Sequence, residues 1–370
     1  MPAPLTPVPT SDTWPDGATA LAPMAERLVA WQRQHGRHDL PWQGTRDPYR
    51  VWLSEVMLQQ TQVSTVMGYY ARFLARFPDV AALAAASQDE VLGLWSGLGY
   101  YSRARMMHRC AQAVCAEHGG QFPRTAEALV TLPGIGPSTA AAIASFCFGE
   151  RISIMDGNVR RVLSRWLAWP HDLAQPRHER ALWAQAQALL PTQAQDMPAY
   201  TQGLMDLGAT LCTTRAPACQ ACPLQADCQG RAQGEPTQWP IRTRKLKRLS
   251  VSLWLLWAED AQGRVWLHKR PQQGIWAGLH AVPVFETEPD WASLWPQGRV
   301  QAMLPVQRHA LTHRELYLHW VRVQGPSEAP PQHEGQWCSR ADWAALGLPK
   351  PVRERLDAAG ANERHADLFD

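Results

Sequence analysis

Two carboxylates and four clustered cysteines are the groups in this chain whose types and spacing could do chemistry. The first carboxylate is Glu55, inside residues 47–66, DPYRVWLSEVMLQQTQVSTV. Val51, Val56, Met57, Leu58, Val63 and Val66 supply apolar surface around it. A carboxyl beside apolar neighbours loses solvation, which disfavours its charged form and raises its pKa. Glu55 is therefore a candidate general acid near neutral pH. Gln59 and Gln62 follow at i+4 and i+7 and share its face on a helix. Gln60 and Thr61 add amide and hydroxyl groups, which suit reading base edges. A core helix with one satisfied carboxylate and a solvated Gln patch would have the same composition. The second carboxylate is Asp156, in IMDGNVRR. It is a natural N-cap, and capping is compatible with catalysis because the capped amides hold the group ionised and fixed.

Cys212, Cys219, Cys222 and Cys228 give C-x6-C-x2-C-x5-C, four thiols within 17 residues. Such a set can satisfy zinc or an iron–sulfur cluster. Zinc sites more often pair two short C-x2-C knuckles; one knuckle with unequal arms favours a cluster. No substrate-binding group lies between the ligands, so the role reads as structural. Cys110, Cys115, Cys147 and Cys338 are scattered, and the eight cysteines do not make a disulfide framework.

These groups need elements to hold them. Asp47 and Pro48 open the Glu55 helix as N-cap and first residue. Residues 125–148 read as two helices joined through Pro133-Gly134-Ile135-Gly136. Free backbone amides at such a junction bind phosphate; a plain αα-hairpin with helix-capping glycines is the alternative, but the spacing LPGIG before a small-residue helix is more specific and resembles the helix–hairpin–helix motif that grips DNA backbone. Gly97 to Tyr101 is a glycine-flexed turn with two aromatics, followed by Arg103 and Arg105. Aromatics beside arginines suit base stacking with phosphate contact; tyrosines buried at a tight helix junction would give the same pattern. Further helices are expected over residues 21–37, 69–77 and 89–95.

The chain has 370 residues and 45% hydrophobic content, which bounds it to about two domains of ordinary globular composition. Residues 1–20 are Pro-rich and read as a disordered tail. No apolar run is long enough for a membrane span, and no secretory signal is visible; a cytoplasmic protein is expected, nucleoid-associated when acting on DNA. Net charge is only +3, but Arg242, Arg244, Lys245, Lys247 and Arg248 concentrate positive charge in a linker, residues 231–249, where a phosphate backbone could run. From Ser250 the pattern becomes strand-like. VSLWLLWAE and RVWLHKR read as a hairpin about residues 260–263; GIWAGLHAVPVFE and ELYLHWVRVQ read as further strands and 341–357 as helix. This gives a second, α+β domain at residues 250–370.

Together WLSEVMLQQTQV, GLGYYSRAR, LPGIGPSTA, IMDGNVRRV, MDLGA and the four-Cys pattern resemble, in order, the MutY-type adenine DNA glycosylases of the endonuclease III superfamily. The likeness covers nearly the whole chain beyond the tail. It implies a mainly α helix–hairpin–helix glycosylase region, residues 21–230, with a cluster loop at 212–228, followed by a smaller Nudix-like domain. It implies excision of adenine mispaired with 8-oxoguanine (or guanine) in double-stranded DNA, the adenine flipped into a pocket between two helical domains. By resemblance Glu55 protonates the adenine, Asp156 stabilises the sugar cation and can capture it, and Asn158 positions the site. Leu40, Trp42 and Gln202 line the adenine pocket. Gln60 and Tyr100 enter the base stack around the oxidised guanine, and Thr61, Leu98, Gly134, Gly136, Ser138 and Arg160 complete the helical DNA contacts. The four cysteines hold a 4Fe-4S cluster, and the protein acts as a monomer.

Ser138 stands where the lyase branch carries a Schiff-base lysine. A hydroxyl cannot form an imine, so monofunctional excision is expected. The competing readings are a bifunctional endonuclease III-like glycosylase and AP lyase, or a non-catalytic iron–sulfur DNA-binding protein. RPQQGIWAGLHAVP carries the Nudix likeness without a Glu-rich metal-binding helix, so recognition and no hydrolysis is expected of that domain. Its recognition loop reads Leu311-Thr312-His313 where the family usually has Phe-Ser-His; Thr312 and His313 are the expected contacts to the oxidised base.

Overall fold

A computed structural model describes residues 23–243, 248–325 and 334–366. The tail at 1–20 and the centre of the basic run, residues 244–247, lie outside the described residues. In chain order the helices are α1 (Met24–His35), α2 (Pro48–Leu58), α3 (Val63–Arg76), α4 (Val80–Ala85), α5 (Gln88–Leu94), α6 (Ser102–His118), α7 (Ala126–Leu129), α8 (Pro137–Phe148), α9 (Gly157–Trp166), α10 (Pro176–Ala188), α11 (Met197–Thr210) and α12 (Gln229–Ala232). The strand-rich part follows as β1 (Leu249–Glu259), β2 (Val265–Lys269), β3 (His280–Ala281), β4 (Val284–Phe285), α13 (Trp291–Leu294), β5 (Arg299–Met303), β6 (Gln307–Ala310), β7 (Arg314–Gln324), β8 (Gln336–Cys338), α14 (Arg340–Ala344) and α15 (Lys350–Ala366). Among the described residues no helix is long and apolar enough to cross a membrane.

The chain forms two compact units. The first comprises Met1–Arg46, Arg124–Ala126 and Pro137–Thr243, within the described residues. Its core gathers Leu28 of α1, Ala141 and Ala142 of α8, Val159 and Leu163 of α9, Leu182 of α10 and Leu204 and Leu207 of α11. α1 and α11 approach closely at Gly203, where a Cβ would lie 3.1 Å from Leu28 and 3.2 Å from Gln32. Burial of this apolar stripe, at about 25 cal/mol per Å² removed from water, is what makes these short helices stable.

The second unit comprises Asp47–Pro123, Glu127–Gly136 and Arg244–Asp370. Its helical part buries Trp52, Leu53, Met57, Phe73, Phe77 and Trp95, with Phe73 meeting Trp95 edge-on at 5.6 Å. Its sheet is built on β1 and β7, which run parallel in register from Leu249↔Arg314 to Glu259↔Gln324. β5 and β6 add antiparallel to β7, β2 and β4 to β1, and β8 and β3 to β2. The two faces alternate as a pleat requires. Leu253, Leu255, Leu316, Leu318 and Trp320 bury with Val352 and Leu356 of α15; Leu256, Ala258, Val321 and Val323 bury with Trp266, Trp291 and Trp295. The hairpin expected at residues 260–263 forms, with Glu259 opposite Val265. Buried Asp260 fixes it by accepting from the Gln262 and Arg264 amides at 3.0 and 2.8 Å.

The same unit ties its helices to its sheet by polar contacts. Arg105 Nη1 donates to Ala277 O at 2.6 Å, Tyr101 OH to Leu348 O at 2.7 Å, and Lys269 pairs with Asp89 at 2.6 Å. A Cβ at Gly93 would sit 2.1 Å from Ala345 O, so only glycine fits there.

Three expectations are corrected. The single helix over 47–66 breaks at residues 59–62, because Gln60 takes a left-handed backbone (φ 57°); Gln59 and Gln62 therefore do not continue the Glu55 face. Residues 274–286 are mostly turns, with positive φ at Gly274, Trp276 and Gly278, leaving only β3 and β4 as strand. The helix over 341–357 is interrupted between α14 and α15, where Gly347 packs close on Leu92.

Candidate active site and nucleic-acid interface

α2 begins as its sequence dictates. Asp47 Oδ1 accepts from the Tyr49 amide at 2.9 Å, and Pro48 occupies the first turn. Glu55 is half-buried on this helix between buried Ser54 and Val56. The helix ends on Arg103. One guanidinium nitrogen donates to the carbonyls of Val56 (2.8 Å), Met57 (2.9 Å) and Gln59 (2.7 Å). The other donates to Thr61 Oγ1 at 3.1 Å and to Leu98 O and Gly99 O at 3.4 and 3.3 Å. Carbonyls at a helix C-terminus have no helical partner, and here a charged side chain supplies one. Burial pulls the Arg103 pKa down to about 10. Arg103 and Arg105 were expected to reach phosphate; both are instead committed to backbone carbonyls of their own unit. Gln60 is exposed beyond the helix end, and Thr61 is half-buried.

Tyr100 lies on the other side of the Arg103 clamp. It also has a left-handed backbone (φ 48°), is 45% exposed, and lies 5.4 Å under the Arg103 guanidinium. Trp95 Nε1 donates to Gly99 O at 2.9 Å and steadies the turn. Leu98 is buried, 5% exposed. Thr312 Oγ1 donates to Tyr100 OH at 3.3 Å. Tyr100 and residues 309–314 line one cavity of about 730 Å³, with Arg105, Arg248, Ile275, Trp276 and Lys350 also on its wall. That size lies in the range of small-molecule and nucleotide pockets. His313 is exposed at its rim, and its carbonyl anchors the Leu249 amide.

The hairpin turn has the expected glycines. Gly134 has φ 76°, and a Cβ there would meet Met106 Cβ at 2.6 Å; Gly136 is open and exposed. Ser138, in the first turn of α8, is half-buried, and its hydroxyl accepts from the Met155 amide at 3.1 Å, one residue before Asp156.

Asp156 caps α9, with Oδ1 accepting from the Val159 amide at 2.7 Å. Burial raises its pKa, while the Val159 and Asn158 amides and the charges of Arg161 and Arg160 oppose the rise. Asn158 Nδ2 donates to Asp156 Oδ2 at 3.4 Å. Asn158 Oδ1 in turn accepts from Arg161 at 2.7 Å, and Arg161 also donates to Gly208 O at 2.6 Å and Cys212 O at 2.8 Å. Gly208 cannot carry a side chain, because a Cβ would lie 2.5 Å from Asn158 Cβ. Arg160 pairs with Glu179. Gln202 Nε2 donates to Asp206 Oδ1 at 2.9 Å, and Asp206, fully buried, also accepts from the Arg37 side chain (2.7 Å) and amide (3.0 Å). Trp42 is buried and Leu40 half-buried in a turn closed by Gln43 N donating to Leu40 O.

The four clustered cysteines line one cavity with Arg165, Leu211, Pro217 and Ala218. Arg165 is 2% exposed and donates to Cys212 Sγ (3.4 Å), Thr213 O (2.6 Å), Thr214 O (2.9 Å) and Trp239 O (3.1 Å). The Cys228 thiol donates to Arg165 O at 3.7 Å. Burial pushes Cys222 up to about 12, and the other three thiols add to the rise. Among the described residues no group of three His, Cys, Asp or Glu side chains is placed to hold a metal ion.

Arg161, Arg165 and Asp206 are the site-building residues that sequence reasoning passed over, while Arg103 was singled out for a different role. An Asp between apolar residues in MDLGA was a signal for Asp206. Nothing in the spacing distinguishes an arginine that clamps carbonyls from one that meets phosphate.

A profile of the HhH-GPD superfamily base excision DNA repair proteins matches residues 53–187, and one of the NUDIX domain matches 254–358. The adenine DNA glycosylase of Buchnera aphidicola subsp. Baizongia pistaciae is 34% identical over 336 residues, covering 88% of this chain and 94% of that one. The adenine DNA glycosylase of Homo sapiens is 45% identical over 221 residues, covering 57% of this chain and 40% of that one. A solved thermostable thymine-DNA glycosylase superposes with a TM-score of 0.51 at 28% identity, covering 56% of this chain and 95% of that one.

The raised pKa of Asp156 fixes a sign for stability. The folded state binds its proton more tightly than the unfolded one, so stability falls as pH rises from the unfolded value of 3.8 through the folded pKa. Asn caps a helix about as well as Asp without that cost. Asp156→Asn should melt at or above the wild-type temperature at pH 7.5, the gap closing toward pH 4. A variant that melts lower at pH 7.5 and gains nothing on acidification would show that the ionised carboxylate stabilises the fold.

Proposed function

The chain belongs to the adenine DNA glycosylase family, and from that premise we propose that Glu55 and Asp156 divide the hydrolysis of the N-glycosidic bond between them. Glu55, as a carboxylic acid, gives its proton to a ring nitrogen of the flipped adenine. The bond from the base to C1′ breaks, its electron pair leaves with the base, and the sugar becomes an oxocarbenium ion. Asp156, ionised, stabilises that cation. Water adds to C1′, and its proton returns to the Glu55 carboxylate. The logic is that of paired-carboxylate glycoside hydrolysis. What supports this assignment is the environment of each group: Glu55 half-buried on an apolar helix, Asp156 held by two amides and the Asn158 carboxamide.

The partner we propose is duplex DNA with adenine opposite 8-oxoguanine. The observation that carries this is the hydrogen bond between Thr312 and Tyr100 on the wall of one cavity. It joins a residue expected to enter the base stack to one expected to read the oxidised base. Gln60, exposed in a left-handed turn, Thr61, the hairpin amides about Gly134 and Gly136, and Arg160 complete the proposed contacts, with Leu40, Trp42 and Gln202 about the adenine; Leu98, expected among the contacts, is buried in the turn instead. Ser138 has no amine, which disfavours the lyase reading.

Cys212, Cys219, Cys222 and Cys228 would hold the 4Fe-4S cluster. The donor set fits: four thiols, which repel one another as they ionise and need compensating metal charge, face one cavity with no carboxylate among them. Bound there, the group supplies structural cross-linking of the loop; no step of the hydrolysis runs through it.

Three outcomes test these assignments. Glu55→Gln keeps shape and hydrogen bonding but has no acidic proton, so single-turnover excision should fall by about 100- to 10,000-fold with duplex affinity retained; a rate near wild type removes Glu55 from the role. Ser138→Lys puts an amine near Asp156 and should gain borohydride-trappable cross-linking to the abasic product. Trapping that stays at the wild-type level would show that this position does not separate the two chemistries. Elemental analysis of purified protein should find iron and acid-labile sulfide; one zinc and no iron would replace the cluster with a mononuclear site.

A further inference from the structure

We propose that Trp276 is a stacking residue for the base opposite the adenine, and that Arg105 is the positioning residue that holds its loop; this rests on the cavity reading above. Four described non-glycine residues have left-handed backbones, and two of them, Tyr100 (φ 48°) and Trp276 (φ 58°), line the same cavity. A bulky side chain rarely takes that conformation, and it persists only where surrounding contacts enforce it. The enforcing contacts converge on the first turn of α6. Arg103 holds the Tyr100 turn through Leu98 O and Gly99 O. Two residues on, Arg105 donates to Ala277 O at 2.6 Å, the carbonyl next to Trp276. The Trp276 loop is closed further by Gly278 N donating to Pro271 O at 2.9 Å and Leu279 N to Trp276 O at 3.1 Å. Burial lowers the pKa of Arg105, as expected for a guanidinium spent on structure.

The ring itself is half-buried. It packs against the sheet core with Ile275 and Leu311 and also faces the cavity. A large aromatic surface held rigid beside hydroxyl and imidazole groups is what a base requires: a π-face to lie on, and polar atoms for its edge. Stacking is tolerant of base identity, so Trp276 supplies affinity for any opposite base, and Thr312 and His313 supply the preference among them.

The test uses the full chain with three duplexes, each with one adenine, facing 8-oxoguanine, guanine or an abasic site. Base–aromatic stacking is worth roughly 5- to 150-fold in affinity. Trp276→Leu should weaken binding to the two base-bearing duplexes by a factor in that range and leave the abasic duplex unchanged. Trp276→Phe should restore most of the loss. Arg105→Met should reproduce the pattern of the Leu variant in weaker form. If Trp276→Leu does not fold, Trp276→Gly replaces it, since glycine adopts this backbone without strain. Equal weakening on all three duplexes, or failure of Phe to rescue, would make Trp276 a scaffold residue and overturn the proposal. No weakening on any duplex overturns it as well. The underlying cavity reading fails in a different way: Thr312→Ala would then leave the ratio of 8-oxoguanine to guanine duplex affinity unchanged.

Discussion

The carbonyls that α2 leaves without helical partners are taken up by one guanidinium, and much of the second unit depends on that substitution. Arg103 reaches six acceptors on two segments, the end of the Glu55 helix and the turn before α6. A planar fork with several donors in fixed directions can do this, and a lysine ammonium cannot. Removing it would leave buried carbonyls unpaired, each at a cost of about 1–3 kcal/mol. Its consequence is geometric. Because the carbonyls are satisfied, the chain can leave the helix abruptly after Leu58 and turn through Gln60 with positive φ, while Tyr100 is held in a like conformation across the same clamp. Two side chains suited to a nucleic acid are thereby held exposed on rigid backbone.

In the first unit the organising element is α9, only ten residues long. Its N-cap is Asp156, and its last turn carries Arg165, whose side chain and carbonyl touch Cys212 and Cys228. Arg161, between them, bonds both Asn158 and the Cys212 carbonyl. A short helix is a stiff body, so the carboxylate and the cysteine loop are referred to one frame. Gly208 lets α11 approach this frame closely, and buried Asp206, on the same helix, orients Gln202 and Arg37. The buried charges of this unit are each paired or multiply hydrogen-bonded, the condition under which burial of charge is tolerated.

The sequence by itself determined the elements that local rules govern. Asp47 and Asp156 are N-caps because a short carboxylate before a helical run has free amides to accept from. The hairpin about residues 260–263 forms because Asp260 and Gly263 suit a tight turn. The order of motifs was enough to recognise the family, and the alternation of β1 and β7 to place strands in the second half of the chain. Tertiary structure decided what local rules leave open. A helical pattern over 47–66 is continuous in propensity, and only a side chain 44 residues from Gln59 breaks it. Arg103 and Arg105 look like phosphate ligands in one dimension; which acceptor an arginine finds depends on where the backbone of other segments ends. The residues 274–286 have strand composition, yet long-range contacts such as Arg105 to Ala277 hold the first half in turns. Residue type sets which interactions are available, and the fold decides which of them are made, because a hydrogen-bond partner distant in sequence has no signature within either segment.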